Sequence, residues 1–299
     1  MSVANKTWHV LEIIDWSSNY LLQKGITSPR LNAEQLLGHT LNMDRVALYL
    51  NYDRPLSTAE LARYKRFLKR RLQNEPLQYI LGQTEFMSLP FRVNSAVLIP
   101  RPETEILVET AIQKCQSDLP NLQTIHILDV GTGSGCIAIS LAKYVENTQI
   151  VAMDISEAAL EVARENACIN GVESKIQFLK ADFFKLSAEN PLSQKFNLIV
   201  SNPPYVSEQD FEHLPAEIKK YEPNCALKDG SDGMSYYRAL LDSVGGFMAE
   251  MGFLIMELGA GQASKVADMF HRQNMTNFQI FKDLNGMERT ICCEVNCLA

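Results

Sequence analysis

The 299-residue chain contains no apolar run approaching the ~20 residues that cross a bilayer, which argues against a helical membrane protein. Lys6, Glu12, Asp15 and Lys24 interrupt the start of the chain, so no signal-peptide core is expected there. Its seven cysteines are odd in number, scattered and without a CxxC pair, which speaks against both a disulfide framework and a zinc ribbon. The one cluster, Cys292, Cys293 and Cys297, has no fourth ligand nearby; no metal is expected, and reduced core thiols in a cytoplasmic protein are. Positive charge is also scarce. Lys and Arg number 28 against 35 Asp and Glu, a net charge of −7, which argues against a generic nucleic-acid binder. The imbalance is uneven: residues 1–100 carry 12 basic and 8 acidic residues, the remainder 16 and 27. Internal repeats and low-complexity stretches are absent.

What is present is enough apolar material, 46% of residues, for a sizeable core, in a length that suits one large domain and a smaller one. Residues 1–75 read as a small helical domain. "WHVLEIIDWSSNYLLQKG" spaces Trp8, Leu11, Ile14 and Leu22 at near-helical intervals and stops at Gly25. Ser28-Pro29 opens a second helix, and the Ser57-x-x-Glu60 capping box a third. That third helix carries "RYKRFLKRR", Arg63 to Arg71, either a solvated face or a docking surface for an acidic or ribosome-associated partner. Residues 76–100, with short β-prone runs broken by Gly82 and Pro90, read as a β-hairpin linker.

Residues 101–299 form the large domain. From Thr124, nearly continuous apolar strands ("TIHILDV", "QIVAMDI", "IQFLKAD", "FNLIVSN", "GFLIMEL") alternate with helices at 137–144, 157–170, 235–251 and 262–272. Strands of that kind are covered on both faces, so the alternation predicts a Rossmann-like, doubly wound α/β fold with a mostly parallel sheet. "FQIFKDL" and "RTICCEV" are separated by the turn "NGM" with no room for a helix, which makes them an antiparallel edge pair and brings the sheet to seven strands.

The strand ends carry the chemistry. "ILDVGTGSGCIAISLA" is a strand, a glycine-rich turn over Gly131, Thr132, Gly133, Ser134 and Gly135, and a helix. The dinucleotide fingerprint GxGxxG would need glycine at 136, where Cys136 stands, and no Walker lysine follows. The turn therefore allows close backbone approach to a ligand without demanding a phosphate. Asp154, ending the next strand, can accept from ribose hydroxyls; Asp182 can accept from an adenine amino group, and Phe183 or Phe184 can stack on the ring. In this order, at successive strand ends, they predict an adenosine site.

These motifs, followed by "NPPY", resemble a class I S-adenosylmethionine-dependent methyltransferase that modifies a planar nitrogen. "EPLQYILGQTEF", "LIPRPETEILVE" and "YEPNCALKDGSDGMSYYR" resemble, more selectively, the protein-glutamine N5-methyltransferases of translation release factors, the HemK/PrmC group. "KDGSDG" departs from the Gly-Gly pair that the family often has there. The resemblance implies S-adenosyl-L-methionine as cofactor and, as partner, the glutamine of the Gly-Gly-Gln loop of class I release factors. It also implies a substrate-recognition role for the helical domain, and a pocket wall formed by the segment holding Arg101 and Glu103. A monomer is expected, with no membrane and no nucleic-acid substrate.

The chemistry of "NPPY" agrees with an amide target. The two N–H groups of a carboxamide only donate, so a site that orients it needs two fixed acceptors. Asn202 offers a side-chain oxygen and Pro203 a backbone carbonyl, while Pro203 and Pro204 stiffen the corner; Asn202 also adjoins the cofactor. Tyr205 can lie against the planar amide. Asn202 positions the substrate rather than acting as a base. The same geometry suits an exocyclic amine, so N6-adenine or N2-guanine methylation of nucleic acid is the alternative; its basic cleft is missing from the acidic half of the chain.

Overall fold

The computed structural model describes residues 7–185, 192 and 194–296; Lys6, Cys297 and the Phe184 side chain lie outside them. The chain divides into two compact units. One runs to Gly82 and includes the later segment Ala216–Tyr221; the other holds Gln83–Pro215 and everything from Glu222 onward.

The first unit is helical: α1 (Val10–Gln23), α2 (Pro29–Leu41), α3 (Arg45–Leu50), α4 (Thr58–Leu72) and α5 (Leu77–Leu81). Val10, Ile13, Ile14 and Leu21 from α1 meet Leu36 and Leu37 from α2 in its core. The capping box opens α4 as its sequence implies, with the Ser57 hydroxyl accepting from the Glu60 amide. The basic run of α4 is not one surface. Tyr64, Leu68 and Arg71 face inward, whereas Lys65, Arg66 and Lys69 are exposed. The buried Arg71 guanidinium donates to Asn32 Oδ1 at 2.7 Å and pairs with Glu217 at 2.9 Å, so its charge is satisfied by partners within this unit.

The second unit opens with an antiparallel hairpin, β1 (Gln83–Phe86) and β2 (Leu89–Arg92). Its turn residues Met87 and Ser88 both have positive φ, 49° and 57°, as a two-residue hairpin turn with the right twist requires. Neither is glycine; the turn is held by the Met87 amide donating to Glu105 and the Tyr144 hydroxyl donating to the Met87 carbonyl. The α/β core follows: α6 (Pro102–Ser117), β3 (Ile125–Val130), α7 (Cys136–Tyr144), β4 (Thr148–Asp154), α8 (Glu157–Asn170), β5 (Ile176–Lys180) and β6 (Phe196–Ser201). Next come three short helices, α9 (Glu208–Phe211), α10 (Ala216–Tyr221, the segment that belongs to the first unit) and α11 (Asn224–Leu227). Then α12 (Ser235–Phe247), β7 (Met248–Glu257), α13 (Ala263–Arg272), β8 (Phe278–Lys282) and β9 (Glu288–Asn296) complete it.

The seven strands stand in the order β5-β4-β3-β6-β7-β9-β8, parallel except where β9 pairs antiparallel with β7 and β8. This is the Rossmann-like sheet with an antiparallel edge that the sequence predicts. Apolar side chains cover both faces. Leu107, Ala111, Ile127 and Ile139 pack on one side, Leu128, Tyr237, Leu240 and Phe270 on the other. One expectation needs correction. The helix expected over 235–251 ends at Phe247, because Met248 already pairs with Phe196 in the sheet. The three short helices over 208–227 carry no strong periodicity and were not foreseen. Among the described residues, no helix is long and apolar enough to cross a membrane.

The topology fixes where a ligand belongs. The chain runs from β3 outward to β4 and β5, then returns to the other side of β3 with β6. Beyond the carboxyl ends of β3 and β6 lies the crevice where open α/β sheets bind ligands.

Candidate active site

Four successive strand ends border one cavity in the second unit. Gly131–Ser134 follow β3, Asp154 ends β4, Asp182 and Phe183 follow β5, and Asn202–Pro204 follow β6. Arg101 and Thr104, at the start of α6, and Tyr236 on α12 complete the lining that matters here.

The three glycines of the turn divide their work. All have positive φ, 77°, 55° and 82°. A Cβ on Gly131 would meet nothing within 4 Å, and one on Gly133 only the Gly131 carbonyl oxygen at 4.0 Å, so both leave open space beside the cavity. Gly135 does not line it. A Cβ there would sit 2.8 Å from Ile139 Cδ1 and 3.1 Å from the Ala163 Cβ, so glycine lets α7 approach α8. Asn166 on α8 donates to the Ser134 carbonyl at 2.9 Å and ties the turn to that helix.

Asp154 accepts from the Gly133 amide and the Ser156 amide, both at 2.9 Å. Burial raises its pKa while these amides pull it back down. Two bonds leave a carboxylate further lone pairs for a ligand. Asp182 is paired with Lys185 at 3.0 Å. Phe183 borders the cavity and also packs on Phe247, with ring centroids 5.8 Å apart. The fully buried Asp129, which sequence reasoning did not single out, braces the turn from below. Its Oδ2 accepts from the Thr132 hydroxyl at 2.7 Å and from the Ala138 amide at 3.2 Å, and burial pushes its pKa to about 7.

At the fourth strand end, Asn202 Nδ2 donates to Thr104 Oγ1 at 3.2 Å. Thr104 in turn donates to Glu257 Oε2 at 2.5 Å, and the Tyr205 hydroxyl donates to Glu257 Oε1 at 3.1 Å. Among the described residues, no donor occupies Asn202 Oδ1 or the Pro203 carbonyl. Tyr205 does not line the cavity, which departs from the expected lid over an amide; its ring packs with the core around α12 and β7. Glu103 is likewise off the lining. Arg101 is on it, held by Glu222, whose second oxygen accepts from the Ile99 amide at 3.3 Å.

Thr104, Glu222 and Glu257 were missed in the sequence. Thr104 is hidden inside "RPETE" and Glu222 inside "YEPN". Glu257 left one usable trace, an acid at the end of the otherwise apolar strand "GFLIME".

Residues 12–82 match the PrmC N-terminal domain, and residues 104–220 the methyltransferase small domain. A release factor glutamine methyltransferase of Geobacter sulfurreducens is 40% identical over 292 residues, covering 97% of this chain and 98% of its own. One from Chlorobaculum tepidum is 39% identical, over 96% and 98%. The chain belongs to the release factor glutamine methyltransferase family. The crystal structure of the hMettl16 catalytic domain with the MAT2A 3′UTR hairpin 6 has a TM-score of 0.54 at 13% identity, covering 83% of this chain and 86% of that one, which shows a shared fold alone.

The family implies S-adenosyl-L-methionine, and the residues present fit it. Gly131 and Gly133 leave a cradle that any Cβ would fill, while Asp154 and Asp182 add acceptors at the next two strand ends.

Proposed function

We propose that this chain transfers a methyl group from S-adenosyl-L-methionine to the side-chain N5 of the glutamine in the Gly-Gly-Gln loop of class I peptide chain release factors. The observation that carries the reading is the disposition of Asn202. Its NH₂ is engaged by Thr104, while its oxygen and the Pro203 carbonyl have no protein donor among the described residues and border the cavity of the glycine turn and Asp154. Two unoccupied acceptors beside a nucleoside-type site suit a group whose nitrogen only donates.

When bound, the cofactor supplies an electrophilic methyl carbon on a sulfonium. Gly131 and Gly133 would let it lie against the backbone, Asp154 would take ribose hydroxyls, and Asp182 and Phe183 would take the adenine. Asn202 Oδ1 and the Pro203 carbonyl would receive the two amide hydrogens and hold the nitrogen in line with the methyl carbon. Alignment of this kind lowers barriers by ~7–11 kcal/mol in well-oriented systems. The surplus proton of the nitrogen would leave to solvent after transfer, and Asn202 needs no charge to hold the amide in place. Arg101, locked to Glu222, stiffens the wall facing this corner. The helical unit serves, in this reading, to recognise the folded release factor, and the enzyme works as a cytoplasmic monomer.

Incubation with a class I release factor and the methyl donor, followed by peptide mass spectrometry, should place one methyl on the Gly-Gly-Gln glutamine. Methyl label found in DNA or RNA, with none in the release factor, would instead select the nucleic-acid reading.

A further inference from the structure

We infer that Glu257 is a positioning residue: acting through the Thr104 hydroxyl, it fixes which way the Asn202 carboxamide faces. This rests on the reading above, in which Asn202 Oδ1 receives a substrate N–H.

The two ends of a carboxamide have nearly the same shape, so packing alone does not choose between the two orientations related by a flip; the hydrogen-bond partners choose. An ionised carboxylate only accepts. Glu257 Oε2 lies 2.5 Å from Thr104 Oγ1, a charge-assisted contact that commits the single hydroxyl hydrogen of Thr104. Thr104 then has only lone pairs to offer Asn202, 3.2 Å away, and the Asn202 group facing it must be the NH₂. Oδ1 is thereby left for the cavity. Were there no obligate acceptor at 257, the Thr104 hydrogen could turn to Asn202 and draw the oxygen toward itself. The corner would then present NH₂ to NH₂, two donors that repel.

The arrangement has a second arm. Glu257 Oε1 accepts from Tyr205, so the first and last residues of the Asn202–Tyr205 corner are tied to one carboxylate. Glu257 is 1% exposed and stands at the end of β7, the neighbour of β6 in the sheet, which sets its position independently of the corner it holds.

The test uses the full-length enzyme with a class I release factor, measuring kcat, KM for the release factor and Kd for S-adenosyl-L-methionine. Thr104→Val removes the relay hydroxyl, and Glu257→Met removes the acceptor. Each should lower kcat about 10- to 100-fold, while KM and Kd stay within about threefold, as mis-set orientation rather than lost binding predicts. Thr104→Ser keeps the hydroxyl and should return kcat to within about threefold of wild type, and the double variant should be no slower than the slower single, because both cut one chain. Thr104→Val and Thr104→Ser keep the test standing if Glu257→Met folds poorly. Wild-type kcat in Thr104→Val, or losses that multiply in the double variant, would overturn the inference. Asn202→Ala separates the two levels. If it is slow while Thr104→Val is not, only this inference fails; if it turns over at the wild-type rate, the reading of Asn202 fails with it.

Discussion

The division of labour within the glycine turn gives paired substitutions with opposite outcomes. At Gly135 an alanine meets Ile139 Cδ1 at 2.8 Å and the Ala163 Cβ at 3.1 Å, with φ at 82°. The left-handed conformation costs a non-glycine residue ~1–2 kcal/mol. Overpacking against α8 adds ~1–3 kcal/mol. The stiffer unfolded chain returns ~0.4–1 kcal/mol. Gly135→Ala should therefore destabilise the second unit by about 2–4 kcal/mol, which in a domain of this size lowers Tm by roughly 5–15 °C. At Gly133 the nearest atom to a new Cβ is 4.0 Å away, so the overpacking contribution vanishes and the net cost is about 1 kcal/mol. There the methyl enters the cavity instead. Thermal unfolding and calorimetric titration with S-adenosyl-L-methionine read the two effects separately. Gly135→Ala should shift Tm with Kd nearly unchanged, and Gly133→Ala should weaken binding tenfold or more with little change in Tm. The reverse pattern, binding lost at 135 and stability lost at 133, would refute this assignment of the turn.

Two further outcomes can be stated. Asp154→Ala should chiefly weaken cofactor binding, by about 1.5–3 kcal/mol for a hydrogen bond to a charged group, and an unchanged Kd would remove Asp154 from the site. The rate should also depend on pH through Glu257. Burial raises its pKa from the ordinary carboxylate range to about 7, against the Thr104 and Tyr205 hydroxyls and Arg289, which lower it, with Glu103 adding to the rise and Tyr237 and Cys136 nearby. A raised carboxyl is protonated below that value and can then donate to Thr104, so kcat should fall as pH drops through about 7. The acidic limb should be flattened in Thr104→Val, and a limb of unchanged size there would assign it to another group.

How much of this was legible in the sequence depends on the range of the interaction. The strand-end motifs are local. "DVGTGSG", Asp154, Asp182 and "NPPY" each sit where an apolar run stops, and the alternation that sets the runs also sets the sheet. Their convergence on one cavity follows from topology alone, because β3, β4, β5 and β6 are neighbours in the order in which a doubly wound sheet places them. The Glu257 contacts are of another kind. Thr104 and Glu257 are separated by 153 positions and Tyr205 and Glu257 by 52, and neither bond leaves a periodic trace. Tyr205 illustrates the difference: an aromatic after two prolines reads as a surface for a planar ligand, and nothing local announces that its hydroxyl donates to Glu257 of β7. Gly135 shows a similar limit, since its close approach is to Ile139 and Ala163. The repeat of alternating glycines does not distinguish a glycine facing a ligand from one facing the neighbouring helix.

A buried carboxylate is an odd choice if stability were its only purpose. Glu257 has hydroxyl partners and no ion pair within 4 Å among the described residues; Arg289, whose charge favours the ionised carboxylate, pairs with Asp283 at 3.1 Å. Taking a lone charge out of water costs several kcal/mol in real proteins, and well-packed apolar replacements of buried charges are often neutral or stabilising. What an apolar side chain cannot do is accept a hydrogen from Thr104. Glu257→Met should therefore leave Tm within a few degrees of wild type, or raise it, while slowing methyl transfer. A variant that is less stable and equally fast would mean that the carboxylate serves packing after all.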